Sequence, residues 1–260
     1  MGSQKMQAQL WSIAAQDWAD YQETTLLPVF EQIAHDFSQI PARALLDVGC
    51  GSGLFCQLAL QQGLNVSGLD ATAELITIAQ RKAPNGHFTT GDMEEMPYPD
   101  HSFDLVTGIN SFQYAASPVQ ALKEAYRVLK PTGKLVVAIW GKAQECQAAV
   151  YLKALGALMP PPPPGTPGPF ALSEDGALEK LVGDAGFQPG MRQRVSCPFV
   201  YPDLHTALKG LLSAGPAQRA IGNTSYEAAA EAVTNAIAPF RTELGGYRMG
   251  NTFYILEATK

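Results

Sequence analysis

The stretch Leu45-Leu46-Asp47-Val48-Gly49-Cys50-Gly51-Ser52-Gly53 decides the fold. An apolar run carrying one acid enters a turn with glycines at 49, 51 and 53, and a helical pattern opens after it. A second apolar run, residues 65–69, leads into Asp70. That order suits a nucleoside ligand. Backbone N–H groups at a helix start meet the polar end of the ligand, and a carboxylate at the tip of the next strand accepts from ribose hydroxyls. The spacing departs from the G-x-G-x-x-G of dinucleotide sites, because Leu54 stands where the third glycine would fall.

On either side of this turn the chain organises itself by period. Residues 6–20 (Leu10, Trp11, Ala14, Ala15, Trp18) and 28–38 (Phe30, Ile33, Ala34, Phe37) carry helical spacing, and Pro41 ends the second. Strands are expected at 44–48, 65–69, 87–90, 104–109 and 134–140. Helices lie between them, from 54 to Gly63, over 72–82, and from Ser117-Pro118-Val119-Gln120 to about Lys130. Ser117 is suited to cap, Pro118 to the first helical position and Gln120 to a capping box. Such alternation implies a parallel sheet with helices on both faces. After 140 the pattern changes. A helix over 141–159 precedes the proline-rich connector 160–169, whose composition favours polyproline II. Then come a helix capped by Ser173, a strand over 192–200, helices over 203–213 and 225–238, and a last strand over 247–258. The box Thr224-Ser225-Tyr226-Glu227 opens the last helix.

The bulk numbers narrow the partners. With 260 residues, 46% of them hydrophobic, the chain can bury a substantial core. A net charge of −6 and no run of Lys or Arg argue against duplex DNA or bulk RNA. No apolar stretch approaches the ~20 residues that span a bilayer. The start MGSQKMQAQL lacks a signal-peptide core, and residues 1–3 read as a cloning remnant ahead of a native start at Met6. Cys50, Cys56, Cys146 and Cys197 form no CxxC pair, so a reduced, cytoplasmic chain without a metal is expected.

Read together, the motifs resemble those of class I S-adenosylmethionine-dependent methyltransferases of the small-molecule type, near the ubiquinone- and menaquinone-biosynthesis group (methyltransferase type 11). The resemblance runs from about residue 10 to 145 and more loosely beyond. It implies a Rossmann-like, doubly wound α/β fold with a mostly parallel seven-stranded sheet, its last strand antiparallel. It further implies an N-terminal helical cap (1–40), a cofactor-binding core (41–145) and helical lid segments with the last two strands (146–260) completing the same domain. By the same resemblance, Asp47, Gly49, Cys50 and Gly51 hold the methionine portion of S-adenosylmethionine. Asp70, with Ala71 beside it, binds the ribose. Asp92 and Met93 in GDMEEMPY flank the adenine, and Asn110 ends the strand at the transferred methyl. Trp18 closes from the cap. Phe112, Gln113, Tyr114 and Trp140 are expected to line the acceptor. The segment after the fourth strand has no NPPY- or DPPY-like tetrapeptide, which sets the chain apart from amino-methylating nucleic-acid enzymes.

A methyl sulfonium is already electrophilic, so the protein must mainly align a small-molecule acceptor for in-line displacement. No general base stands out among His35, His87, His101 and His205. His205, Asn110 and Gln113 are the weak candidates for a catalytic group. Two other readings compete: a nicotinamide-dependent oxidoreductase, and a non-catalytic cofactor-binding module. The identity of the acceptor and the oligomeric state stay open at this stage.

Overall fold

The computed structural model describes residues 2–37, 44–163 and 167–260. Pro41 and the middle of the proline-rich connector lie outside the described residues. Nine strands are formed among the described residues: β1 Ala44–Val48, β2 Asn65–Asp70, β3 His87–Thr90, β4 Phe103–Ile109, β5 Leu129–Trp140, β6 Gln188–Ser196, β7 Phe199–Tyr201, β8 Tyr247–Met249 and β9 Thr252–Thr259. The cap consists of α1 Gln4–Ser12, the single turn α2 Ala15–Asp17, a π turn Trp18–Gln22, a 3-10 turn Glu23–Leu26 and α3 Leu27–Phe37. The core helices are α4 Leu54–Gln61, α5 Ala73–Lys82 and α6 Pro118–Val128. The C-terminal half adds α7 Ala149–Ala157, α8 Ala177–Asp184, α9 Leu204–Ser213, α10 Gly215–Asn223 and α11 Tyr226–Ile237.

Seven strands form one sheet in the order β3-β2-β1-β4-β5-β9-β6. Strands β1 to β5 run parallel, and β9 alone opposes its neighbours, with Trp140 facing Phe253 and Val195 facing Phe253 across its two edges. This is the Rossmann-like, doubly wound architecture expected from the alternation. The central strands are apolar on both sides because both are covered, and alternate residues serve alternate faces. Leu45, Leu105 and Val136 join the cluster under α3 and α4, with Phe30, Ile33 and Phe55. Leu46, Val106 and Leu135 join the cluster under α6 and α8, with Leu122, Leu178 and Val182. Truncating any of these large side chains to Ala would cost roughly 2–5 kcal/mol.

Several local expectations are corrected. The single helix over 6–20 is broken after Ser12 and re-enters through the π turn. This bend brings Trp11 and Trp18 into an edge-to-face contact with ring centroids 4.8 Å apart. Ser173 does not cap α8. Its hydroxyl donates to the Trp140 carbonyl at 2.7 Å, and α8 starts after Gly176 in the left-handed region (φ 77°). The cap of α11 is Ser225, which accepts from the Ala228 N–H at 3.1 Å, one residue later than the Thr224 box implied. The helix over 141–159 shortens to α7, and α10 intervenes before α11. The strands over 192–200 and 247–258 each divide, and their pieces β7 and β8 pair with each other in a separate two-stranded sheet. Asn251 makes the second division. Its side chain accepts from the Ala148 N–H at 2.9 Å and donates to the Met249 carbonyl at 3.2 Å, ending the extended run at a polar corner.

Candidate cofactor site

Strand order reverses between β1 and β4, and open α/β sheets place ligands beyond the strand ends at such a switch point. The turn after β1 lies there. Gly49, Gly51 and Gly53 all have positive φ (74°, 55° and 80°), a region glycine enters without steric cost. Gly49 N–H donates to the Leu69 carbonyl at 2.7 Å, fastening the turn to the end of β2. Gly53 does the packing work that Leu54 cannot. A β-carbon on it would lie 2.8 Å from that of Ala79, so α4 and α5 meet only because it is absent.

Asp70 is held from two sides. It accepts from Gly51 N–H at 3.0 Å and from Thr72 N–H at 2.9 Å. Burial raises its pKa, and those two backbone bonds oppose the rise. With Gly49, Leu69, Ala71, Gly91, Asp92 and Met93, Asp70 walls a small cavity of about 20 Å³, and Ser3, Gln4 and Gln7 of the cap roof it. Ser3 N–H donates to Glu94 at 2.8 Å, and the Gln7 amide donates to the Tyr114 carbonyl at 3.0 Å.

The expected residues thus fall into three groups. Gly49, Asp70, Ala71, Asp92 and Met93 meet at one cavity. Trp18 faces the same turn from the cap. Its indole N–H is buried without a hydrogen-bond partner, 3.4 Å from where a Gly51 β-carbon would stand. Asp47 and Cys50 lie beneath the turn. Asp47 accepts from the Thr107 hydroxyl at 2.7 Å and from the Cys56 thiol at 3.6 Å, which ties β1 to β4. Burial pushes its carboxyl up to about 7.

Beyond the end of β4, Asn110 stands in the left-handed region (φ 53°), and its side chain accepts from the Gln113 amide. The Gln113 carbonyl oxygen is buried and unpartnered. Phe112 is fully buried in the core. Tyr114 stacks edge-on against Trp11 at 5.7 Å, and burial pushes its phenol up to about 12, so it stays neutral. Trp140 packs among Phe170, Phe199 and Phe253, with centroids 6.0, 5.5 and 4.7 Å away. His205 is exposed in the first turn of α9, which Asp203 caps.

Sequence reading missed Glu23, Ser52 and Lys82. The Glu23 carboxylate, 3% exposed, accepts from Ser52 N–H at 2.8 Å and from the Ser52 hydroxyl, and pairs with Lys82 at 3.1 Å. No local pattern marks a pair 59 residues apart. Among the described residues, no His, Cys, Asp and Glu cluster could hold a metal ion, and no helix is long and apolar enough to cross a membrane.

A Rossmann-like sheet with a glycine turn at its switch point and a carboxylate at the tip of the next strand is an arrangement in which α/β proteins place nucleoside ligands. Residues 46–137 match the methyltransferase domain family. Demethylmenaquinone methyltransferase of Renibacterium salmoninarum is 37% identical over 38% of this chain and 42% of its own length. Malonyl-[acyl-carrier protein] O-methyltransferase of Serratia marcescens is 32% identical over 38% and 39%. The alignments therefore span about two fifths of these relatives. The YcgJ protein of Bacillus subtilis shares the fold (TM-score 0.59, 18% identity, 89% of this chain and 97% of that one). So does a SAM-dependent methyltransferase of Thermotoga maritima (TM-score 0.52, 17% identity, 91% of each chain). The cyclase SpnF shares it as well (TM-score 0.57, 22% identity, 89% and 79%), so this architecture also hosts other chemistry.

Proposed function

We propose that this chain transfers a methyl group from S-adenosylmethionine to a small-molecule acceptor by in-line displacement. The observation that carries the reading is the convergence of Asp70, Asp92 and Met93 with the glycine turn on one cavity. The residues suit the donor. Asp70 keeps lone pairs for two ribose hydroxyls beyond the backbone bonds it accepts. Asp92 would accept from the adenine amine, and Met93 would lie against the ring. The unpartnered Trp18 N–H marks a place for a polar ligand atom. When bound, the donor supplies an electrophilic methyl on its sulfonium.

The chain's own contribution is alignment and exclusion of water. Alignment can supply up to roughly 7–11 kcal/mol, so an acceptor that is already nucleophilic needs no dedicated base. Asn110, Gln113 and Tyr114 follow β4 and are the groups we assign to the acceptor side, with Phe112 and Trp140 as apolar wall. The relatives are named for demethylmenaquinone and for malonyl-[acyl-carrier protein]. For this chain we assign the broader class of small organic acceptors, in keeping with its net charge of −6. Its four free, buried cysteines suit a reducing compartment such as the cytoplasm.

Calorimetry with S-adenosylhomocysteine and with a nicotinamide dinucleotide tests the donor, and only the first is expected to bind. Incubation with S-adenosylmethionine and a panel of phenols, carboxylic acids and amines tests turnover. Binding without release of S-adenosylhomocysteine from any acceptor would overturn the catalytic reading.

A further inference from the structure

The turn that follows β4 is anchored at three successive residues. Asn110 N–H donates to the Ala138 carbonyl at 2.7 Å, and the Ser111 hydroxyl donates to the Val48 carbonyl at 2.6 Å. The Phe112 ring is buried against Gly108, where a β-carbon would lie 2.2 Å from it. Gln113 therefore has a fixed footing. Its Nε2 donates to Asn110 Oδ1, which leaves Oε1 as an acceptor, buried and without a partner. A buried acceptor left unmatched is costly. Just past a strand end in an open α/β sheet, it points to a ligand that brings the donor.

The surroundings of this oxygen limit that ligand. Burial pushes the phenols of Tyr114 and of Tyr151 on α7 up, Tyr151 further through Tyr114 beside it, so both stay neutral and neither acts as a base near pH 7. The Tyr201 hydroxyl donates to Gln22 Oε1 at 2.7 Å. Lys5, Lys123, Lys153 and Arg219, on α1, α6, α7 and α10, are exposed, while Lys82 and Lys209 are paired with Glu23 and Asp17. A carboxylate or phenolate would thus be desolvated with no free cation to offset the cost. A neutral phenol is a poor nucleophile until a base takes its proton, and His205 is exposed. An alkylamine is protonated at neutral pH, so its lone pair is occupied. What remains is a nitrogen that is nucleophilic while uncharged and carries a hydrogen for Gln113 Oε1.

We propose that the acceptor is an arylamine, methylated on nitrogen, and that Gln113 is the residue that selects it. This rests on the methyl-transfer reading above. The amine N–H donates to Gln113 Oε1, which orients the nitrogen lone pair. That pair forms the N–C bond, the C–S bond breaks with its electrons going to sulfur, and the positive charge passes from sulfur to nitrogen. The anilinium formed is acidic and gives its extra proton to water, so no side chain has to hold it. The hydrogen bond to Gln113 strengthens as charge develops on nitrogen, because bonds to charged groups are stronger than bonds to neutral ones.

The test takes naphthalene, quinoline and biphenyl, each as its amino, hydroxy and carboxylic acid form. Calorimetry on the full chain saturated with S-adenosylhomocysteine measures binding, and release of S-adenosylhomocysteine from S-adenosylmethionine measures turnover. The amino and hydroxy forms are expected to bind, and the acids at least about tenfold more weakly. Only the amino forms are expected to turn over, with the added methyl on nitrogen by mass spectrometry. In Gln113→Leu, kcat/KM for the amino forms should fall about tenfold to a hundredfold, with weaker binding of those forms. Affinity for S-adenosylhomocysteine alone should stay within about twofold. Gln113→Glu keeps the shape and adds a base, so the hydroxy forms should gain turnover, and this variant carries the test should Gln113→Leu fail to fold. Wild-type preference for hydroxy or acid forms, an unchanged Gln113→Leu, or no gain in Gln113→Glu overturns the proposal and leaves the transferase reading standing. No turnover with any form, while S-adenosylhomocysteine still binds, removes the methyl-transfer reading itself.

Discussion

Two aspartates at the ends of adjacent strands, Asp47 buried and Asp70 half-buried, have different tasks. Asp70 walls the cavity and holds Gly51 and Thr72 by their N–H groups. Replacing it with Ala removes the acceptor we assign to the ribose and frees the turn. Binding of S-adenosylhomocysteine should weaken at least about tenfold, because each hydrogen bond to a charged group contributes roughly 1.5–3 kcal/mol. Calorimetry measures this, and unchanged affinity would remove Asp70 from the site. Asp47 acts on stability. Its carboxyl is pushed up to about 7 in the folded chain from an ordinary 3.8, chiefly by burial. Between those values the folded state binds more protons than the unfolded one. The stabilisation is therefore complete below about 4 and is lost as pH rises through about 7. Burial shifts Asp70 in the same direction. Denaturant titrations at pH 4 to 8 should show stability falling across that window, with a shallower fall in Asp47→Asn.

The contact of α4 with α5 turns on Gly53. A β-carbon there would stand 2.8 Å from the Ala79 β-carbon and 3.0 Å from its α-carbon, with φ at 80° besides. Gly53→Ala should cost more than the ~1 kcal/mol of an unfavourable backbone region alone, because the helices must also part. Ala79→Gly in the same chain should recover the packing share and leave the backbone share, which a double-mutant cycle by chemical denaturation separates. The parallel half of the sheet was legible because Leu45, Leu46, Val106 and Leu135 alternate between two covered faces, and because Ser117 and Pro118 announce α6. The outer elements were not. Residues 247–258 look like one apolar strand, and only the tertiary partners of Asn251 break them. The cavity-facing residues Asp70, Asp92 and Met93 could be read from motif order. Glu23 could not, because its partners lie 29 and 59 residues away. His205, drawn in as a base by its place in the C-terminal half, is exposed.

At the level of the whole molecule, the cap bridges two halves that the sheet keeps apart. Trp11 packs on Trp18 and on Tyr114 of the core, and Gly215 of α10 presses so close that a β-carbon would lie 2.6 Å from the Trp11 indole nitrogen. Yet none of the nine residues of α1 is buried. The helix is attached by its edges. Removing residues 1–12 should therefore leave the thermal midpoint within a few degrees, while S-adenosylhomocysteine dissociates at least several-fold faster in stopped-flow displacement. A large drop in the midpoint would instead make α1 part of the folding core.

The cavity under Ser3, Gln4 and Gln7 has room for about one water molecule, far less than an adenosine needs. If the chain turns over as proposed, the N-terminal segment carrying Ser3, Gln4 and Gln7 must swing out and back in each cycle, once to load the donor and once to discharge its spent form. Such gating motions fall in the microsecond to millisecond range and often limit well-adapted enzymes. Under that regime the clock of this protein is mechanical. The methyl transfer proposed above should then show a kcat that falls as solvent viscosity rises and stays the same for acceptors of widely different reactivity.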